Sequence, residues 1–162
     1  MKRIPVKKIA YSAVVAAMYF ALTLLLQPIS FGPVQFRLSE ALVMLPYIMP
    51  ESILGITIGC AANAFSTFPV YDVIFGSLAT LIAGILTSKI KNAWLSGLPP
   101  GLLNALVLPL MWYLLGTDAA YWVNLISITL SEAVVIFFIG VPSLVTRKAF
   151  LDETPADETK EN

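Results

Sequence analysis

The residue with the most chemical consequence is Glu132, which stands inside the apolar run Tyr121–Thr146. Asn124, Ser127 and Ser131 fall within a narrow helical arc beside it. At a rise of 1.5 Å per residue, Glu132 lies roughly 16 Å from Tyr121, near the middle of a bilayer. An ionised carboxylate at that depth costs at least ~2.5 kcal/mol, so it needs a partner or a proton. Other polar groups interrupt apolar runs elsewhere: Asn63, Asp72 and Asn104, with Arg37 and Glu40 one helical turn apart. Tyr71, Trp112 and Trp122 supply aromatic surface near them. Acids and amides beside aromatic walls suit a small, flat ligand rich in N–H donors. Arg37 and Glu40 are placed to pair with each other and anchor the chain over such a pocket.

Catalysis has little to work with. The chain has no histidine, which removes imidazole metal sites, imidazole acid–base chemistry and the usual triads. No nucleophile with an adjacent base stands out, and no Gly-rich loop ending in Lys-Ser/Thr offers an ATP site. The reading is therefore a binding protein, not an enzyme, with no cofactor and no metal. Net charge is zero, which gives no reason to expect nucleic acid. Cys60 is the single cysteine and reads as a small core residue.

These side chains need elements to hold them, and the composition says which. Charged residues are 12% of the 162 and hydrophobic ones 58%. Soluble domains carry about 25% charged residues, so too few are present here to clothe a soluble surface. Between Ile9 and Thr146 the charges are Arg37, Glu40, Glu51, Asp72, Lys89, Lys91, Asp118 and Glu132. Long apolar runs broken by one or two charges make an all-α membrane protein, with the lipid bilayer as its solvent. Breakers divide the chain into six segments: Ile9–Gln27, Arg37–Ile48, Glu51–Phe68, Asp72–Ile90, Leu98–Leu115 and Tyr121–Thr146. The second and third are short and need not cross fully. Residues 1–148 form one six-helix transmembrane domain, and 149–162 an acidic tail expected to be disordered.

Lys2, Arg3, Lys7 and Lys8 precede the first segment, Lys89 and Lys91 follow the fourth, and Arg147 and Lys148 follow the sixth. Six spans put all of these on one side, which the positive-inside rule makes cytoplasmic, with both termini. Ala13, Ala17 and Ala21 form a small-residue row on the first segment, fit either for internal packing or for docking a membrane partner.

Ser30 to Pro46 reads SFGPVQFRLSEALVMLP, with Arg-x-x-Glu behind Pro-x-Gln. It resembles the loop and second-helix signature of the QueT family, substrate-binding subunits of energy-coupling factor (ECF) transporters for queuosine precursors. Asp72–Leu81, the Leu98-Pro-Pro start through Asn104, and Ser131-Glu132 with Gly140-Val-Pro142 are similar to it as well. Ser131 departs from the pattern, which has glycine before the glutamate. The resemblance implies a six-helix bundle of the ECF S-component type in the plasma membrane. It implies an extracellular pocket built from segments four to six, capped by the loop before segment two. The ligand would be a 7-deazaguanine such as 7-aminomethyl- or 7-cyano-7-deazaguanine, or queuine. Partners would be an ECF transmembrane subunit, docked on the alanine row, and two ATPase subunits. In that setting Glu132 would accept the guanine edge, and Asp72 or Glu40 would face an aminomethyl group. Asn63, Asn104 and Asn124 would donate to the base, with Trp112 or Trp122 stacked on it. The alternative is a self-sufficient ion-coupled carrier with Glu132 as proton relay.

Overall fold

In the computed structural model, the described residues are 5–30, 36–65, 70–116 and 120–153, and their regular structure is helical throughout. In chain order we name α1 (Val6–Leu25), α2 (Leu38–Tyr47), α3 (Ser52–Ala61), α4 (Val70–Lys89), α5 (Leu98–Leu114), α6 (Tyr121–Val134) and α7 (Val141–Glu153). Short turns at Gln27–Ser30, Ala62–Phe65 and Leu95–Gly97 link them.

Among the described residues, three stretches are long and apolar enough to cross a bilayer: Val6–Leu25, Leu95–Leu114 and Tyr121–Arg147. The last is continuous because the π-helical segment Val135–Gly140 joins α6 to α7. Its buried row, Ile128, Glu132, Ile136, Gly140 and Leu144, has a spacing of four. In a regular α-helix that row would rotate by about 160° over its length. A π segment has more residues per turn and takes up this drift, so Glu132 and the residues after it keep facing the core. Helix α7 runs on to Glu153, past the expected start of the tail at 149, and residues 154–162 lie outside the described residues.

The middle of the chain is built differently. The expected third segment, Glu51–Phe68, is α-helical only over the ten residues of α3. Helix α2 is also ten residues long and wound as a 3₁₀ helix. In a 3₁₀ helix side chains three apart eclipse. Glu40, Val43 and Pro46 form such a row, and all three are buried. Neither α2 nor α3 reaches the ~20 residues of a straight span.

Packing follows the small residues. On α1 only Val15, Tyr19 and Thr23 are buried, a row along one face. Helix α3 lies parallel to α1 with Gly55 against Ser12 and Val15, and Gly59 against Ala16 and Tyr19. A methyl group on Gly59 would come within 2.8 Å of both the Ala16 carbonyl and the Tyr19 Cβ, so this seam requires glycine. The small-residue row of α4 is buried at Gly76, Thr80 and Gly84. Gly76 faces Cys60 and Leu108, and Gly84 faces Ile53 and Ile56. Pro99 and Pro100 occupy the first turn of α5, where their missing N–H groups cost nothing.

One end of the bundle gathers the basic residues. Lys8 pairs with Glu51 at 3.7 Å, and the Ser12 hydroxyl donates to the Glu51 carbonyl. The Tyr47 hydroxyl donates to the Lys91 carbonyl at 2.8 Å. Arg147 and Ile48 line the same groove. The chain direction therefore brings Lys8, Lys89, Lys91 and Arg147 to a single end, and Arg37 stands apart from them.

Candidate ligand-binding site

The centre of the bundle holds a chain of hydrogen bonds that crosses it from α1 to α6. Tyr19, with no exposed surface, donates its hydroxyl to Glu40 Oε1 at 2.6 Å. Asn104 donates Nδ2 to Glu40 Oε2 at 3.2 Å and to Glu132 Oε1 at 3.1 Å. One amide thus bridges two carboxyl groups, one from the 3₁₀ helix and one from α6. Arg37, at the start of α2, is within electrostatic reach of Glu40, Glu132 and Tyr19. Among the described residues, Glu132 Oε2 is buried and has no hydrogen-bond partner. In a region with little water to satisfy it, an unmatched carboxyl oxygen is costly, and it marks where a donor belongs.

Around this chain Thr23, Cys60 and Ser131 have partners of their own. Thr23 donates to Ser39 at 2.8 Å, one turn beyond Tyr19 on the same α1–α2 seam. Cys60 makes side-chain contacts with Thr80 and Tyr19. Ser131 is buried and turns its hydroxyl back to the Ile128 carbonyl at 3.0 Å. That hydroxyl is thereby spent on its own helix.

The other sequence-selected residues lie toward the end opposite the lysines. Asn63 is buried in the turn after α3, and Asn104 lies below a cluster of Ala105, Leu108, Met111, Trp112 and Ile128. Tyr71 packs against that cluster. Trp112 is 9% exposed, so its ring is a wall of the interior. Trp122 is 71% exposed and meets Tyr121 edge-on at 5.1 Å, the posture of an interfacial aromatic. Asn124 is half-buried in the first turn of α6. Asp72 falls in the first turn of α4, and its side chain lies outside the described residues. So does most of the expected capping loop, at 31–35.

The structure thus brings Glu40, Asn104 and Glu132 into direct contact, with Arg37 near, and leaves Trp122 at the surface. Sequence reasoning overlooked Tyr19. Its signal was the i, i+4 pairing with Thr23, which puts two polar side chains on one face of an otherwise apolar helix. Among the described residues, no cluster of three or more metal-ligating side chains occurs.

Lateral grooves lie elsewhere among the described residues. One of about 740 Å³, between α1, α3 and α4, includes Ser12, Ala13 and Ala16 in its wall. One of about 340 Å³ runs between α1, α2 and α7. Neither includes Glu40, Asn104 or Glu132. Ala13, Ala17 and Ala21 are all exposed.

An apolar helical bundle with membrane-length helices and a buried acid–amide–acid centre has the make-up of a membrane protein. The chain belongs to the QueT transporter family, whose sequence profile matches residues 9–148. Membership sets it in a family of transport proteins. It is 42% identical over 84 residues to the queuosine precursor transporter QueT of Lactococcus lactis subsp. cremoris (strain MG1363), an alignment covering 51% of this chain and 50% of the relative. The match thus spans about half the length of that curated relative. No solved structure matches the chain significantly.

Proposed function

We propose that this chain captures a queuosine precursor, a 7-deazaguanine base, from the extracellular side of the plasma membrane. In this reading it is the substrate-binding subunit of an ECF importer, with six membrane segments and both termini in the cytoplasm. The clustering of Lys8, Lys89, Lys91 and Arg147 at one end supports that orientation. Energy comes from two ATPase subunits through a transmembrane subunit docked on Ala13, Ala17 and Ala21. The exposure of that row supports the docking role, since α3 packs on the neighbouring face of α1.

The observation that carries the ligand assignment is the unpartnered Glu132 Oε2 beside an Asn104 amide that holds the other oxygen. A guanine edge offers a ring N–H and an exocyclic amine side by side, and a carboxylate accepts such a pair. Glu40 supplies a second acid for a protonated aminomethyl group, with Asp72 as the other candidate. Asn63 and Asn124 are the candidates for the base's carbonyl and ring nitrogen, since Asn104 spends its two N–H groups on Glu40 and Glu132 and acts through them. Trp112, buried in the wall above Asn104, is a better stacking surface than the exposed Trp122.

The test is calorimetric titration of the purified chain in detergent with 7-aminomethyl-7-deazaguanine, the 7-cyano analogue, queuine and guanine. One-to-one binding of a deazaguanine in preference to guanine is expected. Folded protein that binds none of them refutes the substrate. A buried carboxyl with an open oxygen also serves a proton relay. Uptake by this chain alone, abolished by an uncoupler, would establish that reading instead.

A further inference from the structure

Helix α1 packs on α3 through a glycine seam and joins α2 through side-chain hydrogen bonds. Of its three buried residues, Tyr19 and Thr23 both hydrogen-bond to α2. The two bonds differ in where they lead. Thr23 reaches Ser39. Tyr19 reaches Glu40, and through Asn104 the connection continues to Glu132, the residue with the open oxygen.

We propose that Tyr19 is a positioning residue of the ligand site, holding the Glu40 carboxylate so that Asn104 in turn presents Glu132 to the ligand. The proposal rests on the reading of Glu132 as the ligand's acceptor.

Each link constrains the next. The Tyr19 side chain is fully buried, and its Cβ lies so close to Gly59 that even a methyl group there would collide with it. The hydroxyl is therefore delivered to one place. At 2.6 Å it occupies Glu40 Oε1, in the range of hydroxyl–carboxylate bonds, and leaves Oε2 for Asn104. The Asn104 amide has two N–H groups on one nitrogen, and it spends them on the two acids. That arrangement fixes the amide plane and, with it, the Glu132 carboxyl. Without the Tyr19 hydroxyl, Glu40 is free to rotate, the amide loses its reference, and the open oxygen of Glu132 is no longer aimed.

The experiment compares Tyr19→Phe, which deletes one oxygen, with Thr23→Val, which cuts the neighbouring bond on the same seam. Both are titrated with 7-aminomethyl-7-deazaguanine, and both are melted without ligand. Tyr19→Phe is expected to weaken binding at least tenfold and Thr23→Val less than twofold, at similar melting temperatures. Equal losses in the two variants would make the seam merely structural and overturn the proposal, as would unchanged affinity in Tyr19→Phe. An infrared readout needs no ligand: the carboxyl band that Glu40→Gln removes, and the one that Glu132→Gln removes, are both expected to shift in Tyr19→Phe and to stay in place in Thr23→Val. If the wild-type chain binds none of the bases, the functional reading fails. The infrared bands then decide the positioning role alone, and an unmoved Glu132 band refutes it.

Discussion

Replacing Glu132 by glutamine isolates the chemistry of one atom. The side chain keeps its length and shape, and its carbonyl oxygen can still accept from Asn104 Nδ2, now at 3.1 Å from Glu132 Oε1. What changes is the buried second oxygen, which becomes an NH₂ group. An acceptor turns into a donor and faces the donors of the ligand. A hydrogen bond to a charged group contributes about 1.5–3 kcal/mol. With 1.4 kcal/mol per tenfold change in affinity, losing one such bond weakens binding by roughly ten- to a hundredfold, and losing a pair weakens it further. Stability should move the other way or not at all. A carboxylate at this depth costs at least ~2.5 kcal/mol when ionised, and glutamine removes that cost while retaining the amide contact. The assay is therefore double: titration with the preferred deazaguanine, and thermal unfolding in detergent without ligand. Affinity lost with melting temperature kept or raised is the signature of a binding group under strain. Affinity within twofold of wild type would refute the role of Glu132. A parallel loss of affinity and folded protein would show that the group is structural.

Other outcomes follow from the packing and the surface. Gly59→Ala must push α3 away from the Ala16 carbonyl and Tyr19, both 2.8 Å from the new methyl, and should cost about 1–3 kcal/mol, read as a lower melting temperature. Gly101→Ala, whose nearest neighbour is Ile136 Cδ1 at 3.7 Å, should melt close to wild type. Trp112→Phe should weaken ligand binding while Trp122→Ala leaves it unchanged, because the first ring is buried above Asn104 and the second is 71% exposed. Lys8→Met should change stability by less than about 1 kcal/mol, since the Lys8–Glu51 pair is open to solvent on the lysine side. Cysteines placed at Lys91 and Arg147, in a Cys60→Ser background, should react with an impermeant maleimide only from the cytoplasmic side; labelling of either in intact cells would reverse the orientation.

What could be read in advance depended on how local its cause was. Apolar runs, their breakers and the bias of lysine and arginine depend on neighbours in the chain, and they located α1, α4, α5 and the continuous Tyr121–Arg147 stretch within a few residues. The need of Glu132 for a partner, which Asn104 meets, followed from its apolar run alone. The truncated α3 and the 3₁₀ winding of α2 did not, because both depend on packing: the Glu40–Val43–Pro46 row is buried only when α2 is wound three residues to the turn. The partners of Glu40 were out of reach for the same reason. Arg37 was the neighbour in sequence, but the hydrogen bonds come from Tyr19 and Asn104, 21 and 64 residues away. Tyr19 itself was hidden by the alanine row on the same helix, which drew attention to the face that turned out to be exposed.

Those two faces of α1 give the helix a position that neither has alone. One presents Ala13, Ala17 and Ala21 outward; the other carries Tyr19 inward to Glu40 and, one turn on, Thr23 to Ser39. If a membrane partner docks on the outer face, any shift of α1 that it favours also moves the Tyr19 hydroxyl relative to Glu40. Hydrogen bonds tolerate only a few tenths of an ångström before they weaken, so a small displacement is enough to disturb the centre. Linkage then requires reciprocity: a partner that loosens the acid–amide–acid centre must bind the ligand-free form more tightly than the loaded one. A transport subunit needs that relation, because a site that holds its solute firmly must be made to release it. Tyr19→Phe cuts the connection, so it should reduce the effect of partner on ligand and of ligand on partner by the same factor.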